Sequence, residues 1–393
     1  MRALLEPRQY FEPAGTQMNN MVVGLFTEML SAGGVQRAGR HVAAVVAKFA
    51  ADRGFAYRFL SLNDPRGMHT VRVGPNEFLF SGYARNKPRF GLAALRAAGR
   101  QPLLVIALHP HLAPVLPAMR MRSGKFRSIV FAHGLEVWQP LGWLRGSALR
   151  SADLVIAPSR DTAQHLISEQ AIRADRVRRL AWGLDPEFEA KLRAPVPPSR
   201  PAAFPERARI ILTVGRWDPA ERYKGADTLI SALPRVLQTV PDAVLVLVGE
   251  GNDRPRLKQL SRESGVANHI RFLFGLTQQE LFACYAHCDV FALPSRGEGF
   301  GLVFLEAMAN AKPVIGGAHG GTPDVIEDGV TGMLVPHADG ALLSSALQSV
   351  LTDPARAREM GERGRERVHH DFSFKQFQSR LAQVLKEVAT WKL

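Results

Sequence analysis

Between Ala194 and Pro205 the chain reads Ala-Pro-Val-Pro-Pro-Ser-Arg-Pro-Ala-Ala-Phe-Pro, with five prolines in twelve residues. Proline has no N–H to give and a fixed φ, so such a run is neither a helix nor a central strand. It predicts a semi-extended linker over 194–206, dividing the 393 residues into two parts that can each bury a core. The same pattern stands on both sides. Short, mostly apolar runs at 21–26, 55–60, 103–108, 129–132 and 154–159 precede the prolines. Others follow at 209–215, 244–249, 270–275, 290–293, 313–316 and 332–335. Nearly continuous apolar strands alternating with helices predict parallel sheets covered on both faces. The expected fold is α/β: two Rossmann-like, doubly wound parallel-sheet domains, 21–193 and 207–373, facing across a cleft. Residues 1–20 read as a flexible lead-in, and the tail reads as helices over 341–351, 354–369 and 374–391.

Composition excludes several classes. The only cysteines, Cys284 and Cys288, cannot build a disulfide framework, which predicts a reducing compartment. They flank His287 just ahead of an apolar strand, where buried thiols are expected rather than a metal site. No run of about 20 apolar residues spans a membrane, and the start lacks a signal-peptide pattern, so a cytoplasmic location is expected. The charge is uneven. Residues 1–200 hold 28 Lys/Arg and 14 Asp/Glu, and the remainder holds 22 of each, so the whole net +14 lies in the first half. That points to an anionic partner such as a lipid surface or a phosphorylated acceptor, against the plain alternative of a solvated basic surface. The mixed segment 120–127 fits either an amphipathic membrane-surface element or a solvated helix end. Aromatics interleaved with Lys/Arg are sparse in residues 1–150, so no nucleic acid partner is expected.

Four groups of residues carry chemistry. After the first strand, Gly33 and Gly34 open a helix, where a glycine loop receives an anion or merely permits close packing. His133 directly follows the 129–132 strand, at the edge where ligands gather in open α/β sheets. His109 and His111 also follow a strand, but with no third ligand a metal is not expected there. Arg216 and Lys224 flank the loop after 209–214, suiting a diphosphate or serving only as surface charge. Lastly, the stretch 295–309 places Glu298 in a glycine loop and Glu306 inside an apolar helix that begins near Gly301. The N–H groups around that helix start form an anion site with a carboxylate on either side.

Glu298-x7-Glu306, within Pro-Ser-Arg-Gly-Glu-Gly-Phe-Gly-Leu-Val-Phe-Leu-Glu-Ala-Met-Ala, resembles the signature of retaining nucleotide-sugar glycosyltransferases of family 4, which have GT-B architecture. Residues 312–315, 320–332, Gly33-Gly34, 152–159, 183–185, Gly215-Arg216 with Lys224-Gly225, and 248–251 extend the resemblance from about residue 21 to the C-terminus. Asp324 stands where the family often has Glu. The resemblance implies a nucleotide-sugar donor (UDP- or GDP-linked), with Glu298 holding the sugar and Glu306 the ribose. Arg216 and Lys224, with the N–H groups around Gly299, Phe300, Gly301 and Leu302, would neutralise the diphosphate. Gly33 and Gly34 would border the diphosphate or acceptor, and His133 would face the sugar from the acceptor side. It further implies retention of configuration and a final helix, 374–393, crossing back to the first domain. No cofactor and no metal are expected, since the chain has no Asp-x-Asp. The expected acceptor is a glycan, lipid-linked and met at an anionic inner membrane face in cell-surface polysaccharide or lipopolysaccharide assembly. A soluble sugar or sugar phosphate is the alternative acceptor. An inert sugar-binding or nucleic-acid-binding module is the non-enzymatic one.

Overall fold

The computed structural model describes residues 21–194 and 198–390. The lead-in assigned to 1–20, residues 195–197 of the proline run, and 391–393 at the end of the last predicted helix lie outside the described residues. The chain forms two compact units. The first holds the chain up to Asp185 and again from Phe374, and the second holds Pro186–Ser373.

The first unit is built on eight strands: β1 (Met21–Phe26), β2 (Ala56–Ser61), β3 (Gly67–Val73), β4 (Asn76–Gly82), β5 (Leu104–Ala107), β6 (Arg127–Phe131), β7 (Leu154–Ala157) and β8 (Val177–Arg179). Their order is β3-β4-β2-β1-β5-β6-β7-β8. Every residue of β1, β5 and β7 is buried, as central strands covered on both faces require. The β3–β4 pair is antiparallel and sits at one edge. The sequence reading missed this hairpin because β3, Gly-Met-His-Thr-Val-Arg-Val, is mostly exposed and has no apolar run. Its signal is the two-residue turn Gly74-Pro75, where Gly74 takes a φ of 57°. Helix Gly34–Ala51 packs its apolar stripe, including Val42, Val45, Val46 and Phe49, inward. Helix Phe374–Thr390 returns to this unit, lies against that helix, and buries Phe377, Leu381 and Leu385.

In the second unit all six strands are parallel: β9 (Arg209–Val214), β10 (Ala243–Val248), β11 (Ile270–Leu273), β12 (Val290–Leu293), β13 (Val314–Gly317) and β14 (Gly332–Val335). The order is β11-β10-β9-β12-β13-β14. The chain therefore reverses its direction of travel between β9 and β12. Outside the carboxyl ends of two such strands the flanking loops part, leaving the crevice where open α/β sheets bind ligands. Both Cys284 and Cys288 are buried and free, and burial pushes each thiol up to about 12.

The domain boundary needs correction. The predicted first domain ran to residue 193, with the linker over 194–206, yet helix Pro186–Leu192 already belongs to the second unit. Its Phe188 ring lies 5.1 Å from Phe282 and 5.9 Å from Tyr285, a buried aromatic contact that fixes the helix there. Phe204, inside the predicted linker, is buried too. The prolines break regular structure as expected, but the aromatics among and before them pack, so the crossing falls at Asp185-Pro186.

Candidate active site

In the second unit the candidate residues come from the loops after β9, β12 and β13. Past β9, Gly215 donates its N–H to Val248 (3.0 Å), and Trp217 donates its N–H to the Glu250 carbonyl (2.7 Å) and its indole N–H to Val248 (3.1 Å). Gly249 makes this stitching possible. Its φ is +131°, and a Cβ there would stand 1.8 Å from the Gly215 carbonyl oxygen. The loop carrying Arg216 is thereby held flat on its neighbour. A 3-10 segment, Pro219–Lys224, then leads through left-handed Gly225 into helix Ala226–Thr239.

The loop after β12 reaches this segment directly. Arg296 donates its N–H to the Tyr223 carbonyl (2.9 Å). From β13, Gly321 donates to the Glu298 carbonyl (2.6 Å), and the Gly317 Cα rests on the Ser295 carbonyl, with no room for a Cβ. Gly301, at φ 95°, starts helix Leu302–Ala309, which has no side-chain cap and no acid in its first turn. Phe304 donates its N–H to the Gly301 carbonyl (3.0 Å), and the N–H groups ahead of it are left for a partner from outside the helix. Phe300 is anchored by burial and an edge contact with Phe372 (5.8 Å). Glu306 lies within this helix and is buried.

The structure brings Arg216, Lys224 and Glu298 into one electrostatic group. Burial lowers the Lys224 pKa, while Glu298 pulls it back up and Arg216 lowers it further. Burial raises the Glu298 carboxyl, opposed by Lys224. Tyr223, next to Lys224, is pushed up to about 12 by burial and by Glu298. Sequence reasoning missed the acid beneath the cations. Both oxygens of buried Glu221 are engaged: Oε1 accepts from Arg216 Nε (2.5 Å) and Nη2, and Oε2 lies 3.1 Å from Lys224 Nζ. Asp218 Oδ2 is 3.4 Å from Arg216 Nε. The signal was present in Asp218-Pro-Ala-Glu221, spaced between the two cations already singled out.

The other predicted residues belong to the first unit. Gly33 and Gly34 follow β1 at the exposed start of their helix. The preceding turn is pinned by buried Asp64, also unforeseen, which accepts from the N–H of Met29 (2.7 Å) and Leu30 (3.0 Å) and from the Ser61 hydroxyl (2.5 Å). His133 follows β6, two strands from β1 in the sheet. Its Nε2 is 2.5 Å from the Leu108 carbonyl, and its ring stacks on Trp182 (5.6 Å, 14°) and His109 (5.7 Å, 22°). His109 is held to about 3 by burial and by its neighbours His133, His111 and Arg145. The 120–127 segment is corrected in part. Arg120 turns inward to Asp153 (2.9 Å), Ser128 and Ser151, and Arg127 also reaches Asp153 (3.2 Å). Met121 remains almost fully exposed. Among the described residues no three His, Cys, Asp or Glu side chains group to hold a metal ion. Nor is any described helix long and apolar enough to cross a membrane.

Two family models match: "Glycosyltransferase Family 4" over residues 33–188 and "Glycosyl transferases group 1" over 199–367. The chain is 34% identical, over 69% of its length and 73% of the relative's, to a GDP-mannose-dependent alpha-(1-6)-phosphatidylinositol monomannoside mannosyltransferase of Mycolicibacterium smegmatis. The chain belongs to glycosyltransferase family 4. A GDP-mannose-dependent monoacylated alpha-(1-6)-phosphatidylinositol monomannoside mannosyltransferase of Corynebacterium glutamicum is 32% identical, over 67% of this family 4 chain and 71% of its own. Sucrose-phosphate synthase from Thermosynechococcus elongatus shares the fold, with a TM-score of 0.74 over 94% of this chain and 99% of that structure at 24% identity. The two Rossmann-like units are those of the GT-B architecture.

Proposed function

We propose that this family 4 glycosyltransferase moves a hexose from a nucleotide sugar to a glycan acceptor with retention of configuration. The observation that carries the donor half is the grouping of Arg216, Lys224 and Glu298 beside the uncapped start of helix Leu302–Ala309, where β9 and β12 diverge. Charge that develops on a departing diphosphate is met there by a guanidinium, an ammonium and fixed N–H dipoles. Glu298 takes the sugar hydroxyls and Glu306 the ribose. The sugar C1–O bond to the diphosphate breaks as the acceptor oxygen bonds C1 on the same face. The acceptor proton passes to the departing phosphate oxygen. His133, Gly33 and Gly34 serve the acceptor and the sugar from the first unit. GDP-mannose is the donor favoured by the names of the relatives, with UDP-sugars as the comparison.

The proposed acceptor is lipid-linked and met at an anionic membrane surface. Support comes from the first half, which carries the whole excess of positive charge, and from its exposed Trp143 (81%), Leu144 (61%) and Met121 (90%). An aromatic and aliphatic pair beside Arg145 suits the headgroup boundary. Thermal stabilisation and donor hydrolysis across GDP- and UDP-sugars test the donor; no response to any of them would defeat it. Co-sedimentation with vesicles containing anionic lipid tests the surface. Binding should weaken with salt and in Trp143→Ser, and failure to bind at low salt would favour a soluble sugar phosphate acceptor.

A further inference from the structure

The two cations assigned to the diphosphate are already occupied. Glu221 bridges them with both carboxylate oxygens, and Asp218 adds a second contact to Arg216. Glu298 contributes a third carboxyl to the same group. Two cations thus stand among three acids. Glu221 is buried, whereas the Arg216 side chain is 68% exposed, so the acid lies on the inner side of the guanidinium and leaves its outer edge open. A carboxylate spanning a guanidinium and an ammonium presents oxygens to both in the way a phosphate does.

We propose that Glu221 is a positioning residue and an internal counter-anion. It holds Arg216 and Lys224 in place before the donor arrives, and its charge opposes that of the nucleoside diphosphate left behind after transfer. The proposal rests on the donor-site reading above and deepens it. A clamp of bare cations would bind the diphosphate product tightly and release it slowly. With Glu221 beneath them, the cations keep their geometry while much of their net attraction is cancelled. Product release is a common limit on turnover, so weaker product binding favours rate.

The test is calorimetric titration of the full chain with GDP, UDP, GMP and UMP. In the wild type the second phosphate should improve affinity by less than about tenfold. In Glu221→Gln, which keeps the shape and removes the charge, diphosphate affinity should rise by about tenfold or more, with little change for the monophosphate. In turnover with donor, KM and kcat should then fall together, with product inhibition strengthened. Glu221→Ser carries the same affinity expectation through a smaller side chain, and the wild-type comparison of mono- and diphosphates needs no variant. Unchanged or weaker diphosphate binding in the variants would make Glu221 a mere scaffold and overturn the proposal. So would a hundredfold gain from the second phosphate in the wild type. If the wild type binds none of the four nucleotides, the donor-site reading itself falls.

Discussion

The His133 ring lies 5.6 Å from the Trp182 ring, only 14° from parallel, and Trp182 is itself buried against Phe131 and Phe377. Because a carbonyl only accepts, the contact with Leu108 makes His133 Nε2 the donor. The stack sets the plane of the imidazole. Trp182→Ala should therefore cost about 3 kcal/mol of stability, measured by urea unfolding. His133→Ala should leave most of that stability intact and cut kcat/KM by at least about tenfold. Equal losses of stability in the two variants would reduce His133 to a packing residue.

Glu298 should weaken the protein it serves. Its carboxyl is raised above the ordinary 4.5 by burial, so the folded chain keeps a proton that the unfolded chain has already lost. Stability from this group is greatest below that ordinary value and falls as pH rises through the raised one. Glu298→Gln has no charge to bury. Its melting temperature should exceed the wild type's at pH 7, with the gap closing toward about pH 4, while kcat/KM drops about a hundredfold, about 2.7 kcal/mol. Lys224 runs the other way: its lowered pKa makes stability rise with pH between the folded value and the ordinary 10.5. Thermal melts from pH 4 to 8 isolate the Glu298 effect; a variant less stable than wild type at pH 7 would refute it.

Gly249 separates backbone strain from site geometry. Alanine there meets the Gly215 carbonyl at 1.8 Å and must also hold a φ of +131°. We expect a loss of about 2 kcal/mol or more and weaker nucleotide binding, because the displaced carbonyl belongs to the loop that carries Arg216. Gly54→Ala is the control: it has a φ of +65° and no atom within 4 Å of the added Cβ. It should cost about 1 kcal/mol and leave nucleotide affinity unchanged. Equal nucleotide affinity in both variants would break the link between Gly249 and the site.

Legibility followed chemistry that repeats along the chain. Buried parallel strands declare themselves as apolar runs, so β1, β6, β9 and β12 could be read directly, and the residues just beyond the last three gave His133, Arg216 and the Glu298 loop. The β3–β4 hairpin was missed because an exposed edge strand needs no apolar run, and its turn at Gly74-Pro75 was the one signal it offered. The domain crossing was misplaced because proline content reports broken structure, while Phe188 and Phe204 decide which core a segment joins. Glu221 and Asp64 were missed for different reasons. The backbone donors that converge on Asp64 come from a distant turn that only the fold assembles, whereas Glu221 shares its loop with Arg216 and Lys224, and what the sequence hid was its burial between them.

Metal removal tests the donor site as a whole. In many sugar transferases a divalent ion offsets the diphosphate charge; the proposed donor site gives that role to Arg216, Lys224 and the start of helix Leu302–Ala309. Two of the nearby acids, Asp218 and Glu221, are already bound to Arg216. Protein dialysed against EDTA should therefore keep its rate within about twofold, and added Mg²⁺ or Mn²⁺ should not raise it further. Lys224→Ala should lose about a hundredfold in kcat/KM and not recover with either ion, since the ammonium it removes is fixed by Glu221 and by burial. A rate that collapses in EDTA and returns with Mn²⁺ would mean that these cations only assist a metal, and the proposed division of charge would have to be abandoned.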